Sequence, residues 1–148
     1  MLLGIDIDAR AQQAGISKGG LLHHFPNKET LILELVRTMM DRFAASVTQL
    51  AAEEPAGPGQ LLRAYVRASF AETPLFPALG ALLAVSVHDN PALAALVAQD
   101  AMSWQERLHA DGLPPARVEV IRRAADAAWY EQLIGTAPES QAQQALLA

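Results

Sequence analysis

Ser17, Lys18 and His23 are the side chains of this sequence whose types and spacing could do chemistry, and that chemistry is the holding of a phosphate anion. A serine at a helix start offers a hydroxyl beside backbone N–H groups that have no partner inside the helix. Lys18 adds a positive charge at the same end. Gly19 and Gly20 let that helix start approach a base edge or a phosphate backbone with no side chain in between. His23 is placed to point outward and donate to phosphate, and Lys28 opens the next helix. Neighbouring residues on a helix point about 100° apart, so His23 and His24 do not share a metal ion through one face.

Two short helices have to position these groups. Asp6 or Asp8 caps the first, which reaches Ala14 and stops at Gly15. Ser17 caps the second, Lys18 to about His24, and Pro26 ends it. Leu21 and Phe25, four residues apart, face inward and hold this second helix against its neighbours. A helix, a glycine turn and a capped second helix follow one another in about the spacing of a helix-turn-helix. Asn27 then caps a long helix from Lys28 to about Glu53, with Leu31, Leu35, Met39 and Phe43 as its apolar stripe.

Pro55-Ala56-Gly57-Pro58-Gly59 is the best internal break. Beyond it the sequence predicts a helix from Gln60 to Glu72 and a buried helix opened by Thr73-Pro74 that runs to about His88. Asp89-Asn90-Pro91 opens another, which reaches Ala110 and is closed by Asp111-Gly112. Pro114-Pro115 leads into a helix to Ile134, stopped by Gly135, and Pro138 starts a final short one. The fold class is therefore all-α, about eight helices, with a helix-turn-helix segment within 1–43 joined by the long helix to a helical bundle over 44–148. Alanine and leucine dominate the composition, β-branched residues are few, and no strand pattern interrupts the helices.

Cysteine is absent, which excludes disulfides and thiolate metal sites. The uncharged stretch Thr73–Val87 contains two prolines and a glycine and is too short to span a bilayer. No secretory signal is visible, so the expected compartment is the cytoplasm. Carboxylates do not cluster, no nucleophile is paired with a histidine, and no phosphate loop is present, so neither an enzyme nor a cofactor is expected. The net charge of −5 lies wholly in residues 44–148, whereas Ala9–Lys28 holds Arg10, Lys18 and Lys28 and no acid. A basic patch on an acidic body suits a protein that touches phosphate with one end only.

Ala14-Gly15-Ile16-Ser17-Lys18-Gly19, followed by Leu21, His23-His24-Phe25 and Lys28, resembles the helix-turn-helix of the TetR family of bacterial transcriptional regulators. The resemblance implies a partial helix-turn-helix DNA-binding domain over 1–43 and a helical ligand-binding and dimerisation domain over 44–148, in a one-component regulator, most often a repressor, that binds a palindromic double-stranded DNA operator as a homodimer and answers to a small-molecule effector. Ser17, Lys18, Gly19, Gly20, Leu22, His23 and Lys28 would then face DNA, with Leu22 standing where the family usually has a tyrosine that reaches phosphate. Arg10 stands where an apolar core residue would be expected. The family's domain also opens on a helix that packs across the other two, and Met1-Leu2-Leu3-Gly4 do not supply it. A less firmly held recognition helix is expected. The sequence leaves open a truncated, dimeric small-molecule-binding protein that does not bind DNA by itself.

For the effector cavity, aromatic and neighbouring side chains give Tyr65, Phe70, His88, Met102, Trp104, Trp129 and Tyr130 as candidates. For the dimer, the resemblance points to the last two helices. Val118, Ile121, Ala125, Ala128, Trp129 and Gln132 lie along one side of the penultimate helix, where the alanines would permit close approach. Ala145, Leu146 and Leu147 lie in the short final helix. Effector identity and operator sequence are not legible at this level.

Overall fold

The computed structural model describes residues 27–71 and 87–134. The two N-terminal helices with their Ser17 cap, the helix opened by Thr73-Pro74, the Gly135 stop and the final short helix fall outside the described residues. Four helices carry the described chain: α1 (Lys28–Glu53), α2 (Gln60–Ser69), α3 (Pro91–His109) and α4 (Pro115–Ile134). The fold is all-α. The chain divides into two compact units, Met1–Leu35 and Val36–Ala148, with the break between Leu35 and Val36 inside α1.

The helix starts are set by local chemistry. Asn27 Oδ1 accepts from the backbone N–H of Thr30 at 2.8 Å and from its hydroxyl at 2.8 Å, so α1 begins at the expected lysine. Asn90 is extended and its Oδ1 accepts from Leu93 N–H at 3.0 Å, while Pro91 takes the first helical position, where a missing N–H costs nothing. Pro115 plays the same part in α4. Helix α2 ends at Ser69, short of the expected Glu72. The N–H groups of Phe70 and Ala71 turn back to Val66 and Ala68 and close it.

On α1 the buried residues are Ile32, Val36 and Val47, whereas Leu35 is exposed. The stripe expected along Leu31, Leu35, Met39 and Phe43 is therefore corrected in its first half. A strict spacing of four drifts about 40° per step around a helix of 3.6 residues per turn. Ile32, Val36, Phe43 and Val47 stay within a narrower arc.

In the second unit, Val47, Leu62, Ala64, Tyr65, Ala68, Trp104, Leu108, Val118 and Ala125 form one buried cluster. Helix α2 packs most extensively on α4. Ala64 and Ala68 on α2 and Ala125 on α4 are all buried, and their small side chains let two helices come close. At the centre three aromatic rings meet edge to face. Phe43 and Tyr65 are 5.2 Å apart between centroids, Phe43 and Trp104 5.5 Å, and Tyr65 and Trp104 5.1 Å.

The 54–59 loop is fastened by charge. Glu54 accepts from Arg63 Nε and from Arg67, each at 2.9 Å, and Arg63 also donates to the carbonyls of Pro55 and Pro58. Gln60 Nε2 donates to Ala51 O at 2.7 Å and so covers a carbonyl at the end of α1. The bonds from Arg67, then Arg63, hold the Glu54 carboxyl below its ordinary value of 4.5 against the opposing effect of burial. Glu119 is held low in the same way by Arg122 and by His109.

A depressed carboxylate stabilises the fold at pH above its unfolded pKa, and that contribution is lost as pH falls through the folded value. The thermal midpoint is therefore expected to fall between about pH 6 and about pH 3, and Glu54→Gln is expected to fall less over that interval. Equal drops in the two proteins, read by circular dichroism, would remove Glu54 from the acid dependence.

Candidate functional site

A cavity of about 320 Å³ lies among the four helices of the second unit. Met39, Met40 and Phe43 of α1, Val97, Ala101 and Trp104 of α3 and the ring of Tyr65 give it an apolar wall. Tyr130 of α4 stands at its margin, half exposed. Unbranched methionines and aromatic rings make a surface that adapts to an apolar body. The polar lining comes from Ser69, Asp100, Arg122 and Asp126.

Most of those polar groups are already engaged with one another. Tyr65 donates its hydroxyl to Asp126 Oδ1 at 2.6 Å, and Arg122 donates to Asp126 Oδ2 at 2.7 Å. The other arm of Arg122 donates to Glu119 Oε2 at 3.1 Å, and His109 Nε2 lies 2.9 Å from Glu119 Oε1. A polar chain thus runs from the cavity wall to the end of α3. Burial, then the bond to Asp126, pushes the Tyr65 phenol far above its ordinary value, so it stays a neutral donor. Burial works against the charge of Arg122, but Glu119 and Asp126 more than offset it. Ser69 is buried and donates to Tyr65 O at 2.9 Å.

Asp100 differs from the rest. It faces the cavity from α3, and among the described residues no hydrogen bond reaches its carboxylate. Burial raises its pKa, Arg107 opposes the rise, and Asp41 adds to it. Arg107 itself lies over the Trp104 ring, with its guanidinium carbon 4.1 Å from the centroid.

Of the cavity residues expected from sequence, Tyr65, Trp104 and Tyr130 line it. Phe70 closes α2 instead, His88 is exposed, and Met102 is 62% exposed. Met102 stands two residues from Trp104, about 200° around α3, and so points the opposite way. The Trp129 side chain lies outside the described structure. Met39, Met40, Phe43, Ser69, Val97, Asp100, Ala101, Arg122 and Asp126 were not anticipated as cavity residues. Helical phase was the available signal, because Asp100 and Val97 stand four and seven residues before Trp104 and share its face.

The expected dimer residues are placed differently as well. Val118 and Ala125 are buried in the chain's own core, and Ile121 packs against that core. Ala128 is partly buried, and the Gln132 side chain lies outside the described structure. The side of α4 that carries Val118, Ile121 and Ala125 is thus covered within the chain. The opposite side, with Val120 at 71% exposure and with Ala124 and Ala127, is open. Of the phosphate-facing set, Lys28 is exposed at the first position of α1. Ser17, Lys18, Gly19, Gly20, Leu22 and His23 fall outside the described residues.

Among the described residues no helix is long and apolar enough to cross a membrane, and no group of acidic or histidine side chains could hold a metal ion. Residues 59–148 match the family model for the tetracyclin repressor-like C-terminal domain. Residues 7–35 match the model for bacterial regulatory proteins of the tetR family. No curated protein and no solved structure matches the chain.

Proposed function

The chain belongs to the TetR family of transcriptional regulators, and from that premise we propose that it is a ligand-responsive repressor that binds a palindromic operator as a homodimer. The observation that carries the ligand response is the apolar cavity walled by α1 to α4, with Tyr65, Asp126 and Arg122 among its few polar groups tied into one chain of hydrogen bonds. A small molecule that enters it contacts the helix that begins at Lys28 as well as α3 and α4, the elements whose relative placement an effector would bias.

In this reading Ser17 and Lys18 hold phosphate at the recognition-helix start, Gly19 and Gly20 allow close approach, and Leu22 and His23 lie against the DNA. Lys28 contacts the backbone from the start of α1. The dimer uses the open side of α4, because the other side is filled by α2. The protein works in the cytoplasm and has no catalytic role.

Fluorescence anisotropy with labelled DNA from the gene's own promoter region tests the proposal. Binding at low salt, weakening as salt rises, is the expected result. Lys18→Ala and Lys28→Ala are each expected to weaken binding and to flatten the logarithmic salt slope by about one unit. Unchanged slopes would remove both lysines from the interface, and absence of binding at low salt would refute the repressor reading for this chain.

A further inference from the structure

We propose that the effector is an organic cation, an amine or amidine carried on an apolar or aromatic body, with its charge paired to Asp100. The inference rests on the effector cavity proposed above and names the ligand class for it. Asp100, Asp126 and Arg122 are the ionisable acid and base groups among the described residues that line the cavity. Arg122 is committed to Asp126 at 2.7 Å and to Glu119 at 3.1 Å, and the second Asp126 oxygen is taken by the Tyr65 hydroxyl at 2.6 Å. Of those groups only the buried Nε of Arg122 has no partner among the described residues. Asp100 is left as the carboxylate that faces the cavity with no hydrogen bond among the described residues.

The consequence for ligand charge follows from desolvation. An anion placed there meets the Asp100 carboxylate, and the one base lining the described cavity is already charge-paired with two acids through its terminal nitrogens, with only its Nε lacking a partner. A neutral body fills the apolar space and leaves Asp100 further shielded from water, with only Arg107 to offset the loss. A cation restores the interaction that burial took from the carboxylate, in a site where charge pairing is screened less than at the surface. The wall adds to the preference. Phe43, Tyr65 and Trp104 bring aromatic rings to the same space, and rings attract a cation placed over their faces. Trp104 already receives one such cation, Arg107, at 4.1 Å.

Isothermal titration of the full chain with three probes of nearly equal size decides the matter: 4-phenylbutylamine, 4-phenylbutanol and 4-phenylbutyrate. The amine is expected to bind at least about tenfold more tightly than the alcohol, and the carboxylate most weakly. In Asp100→Asn, which keeps the shape and removes the charge, the amine preference is expected to vanish while the alcohol binds within about twofold of the parent. Equal binding of amine and alcohol to the parent, or an amine preference that survives in Asp100→Asn, would overturn the assignment while leaving an effector cavity in place. If none of the three probes binds the parent, the cavity itself is not a ligand site and the assignment falls with it.

Discussion

Trp104→Ala is expected to lower the unfolding free energy by about 3–5 kcal/mol, the largest single loss among the described side chains. Trp104 is buried on α3 and meets Phe43 of α1 and Tyr65 of α2 edge to face at 5.5 and 5.1 Å. Removing the indole deletes its burial, two ring contacts worth about 0.5–1.5 kcal/mol each, and the seat of Arg107. It also leaves a void beside an existing cavity, and lining atoms without partners lose dispersion contacts. The surrounding helices can relax only partly, because Leu108 on the next turn of α3 is itself fully buried.

Urea unfolding followed by far-ultraviolet circular dichroism provides the measurement. The midpoint should fall with the slope unchanged, and Trp104→Phe, which keeps an aromatic ring, should lose less. A loss below about 1 kcal/mol for Trp104→Ala would show that the aromatic cluster is not the packing centre.

The helix frame was legible where its determinants are local. Asn27, Asn90, Pro91 and Pro115 each act within one turn of their own position, and each stands where a start was expected. The ends were less legible, as α2 shows. Its stop at Ser69 depends on backbone groups turning back at Phe70 and Ala71, which no residue type there announces. The family was legible from the fifteen residues around Ser17, and the family-model matches bear it out.

The site was legible only in part, for a different reason. Residue type singled out Tyr65, Trp104 and Tyr130, but the same criterion admitted Met102 and His88, which point to solvent. It passed over Asp100 and Arg122, because a charged residue on a helix reads as a solvated one until its neighbours in space are known. Periodicity likewise found the apolar side of α4 at Val118, Ile121 and Ala125. An apolar side states that something covers it and not what. Here α2, with its alanines, covers Val118 and Ala125.

Asp111→Ala is expected to cost about 2–4 kcal/mol, more than an ordinary helix cap, because the residue caps a helix it does not belong to. Helix α2 begins after Gly59, which has no side chain to cap with and stands at φ +83°. Its free N–H groups are served from the α3–α4 connection instead. Asp111 Oδ2 accepts from Leu62 N–H at 2.8 Å, Oδ1 from Leu61 N–H at 3.1 Å, and the Asp111 carbonyl from Gly59 N–H at 2.9 Å. The carboxylate also faces the positive end of the helix dipole.

A helix of 10 residues has little stability of its own, so its start has to be bought with tertiary contacts. A local substitute is closed off. A Cβ at Gly59 would lie 2.8 Å from Leu113 Cδ1, in a backbone region that side chains rarely adopt. Asp111→Asn keeps one of the two acceptor oxygens and should fall between the parent and the alanine variant in chemical unfolding. If Asp111→Ala loses less than about 0.5 kcal/mol, water serves those N–H groups as well as the carboxylate does. The long-range cap would then not be what fixes α2 between α1 and α4.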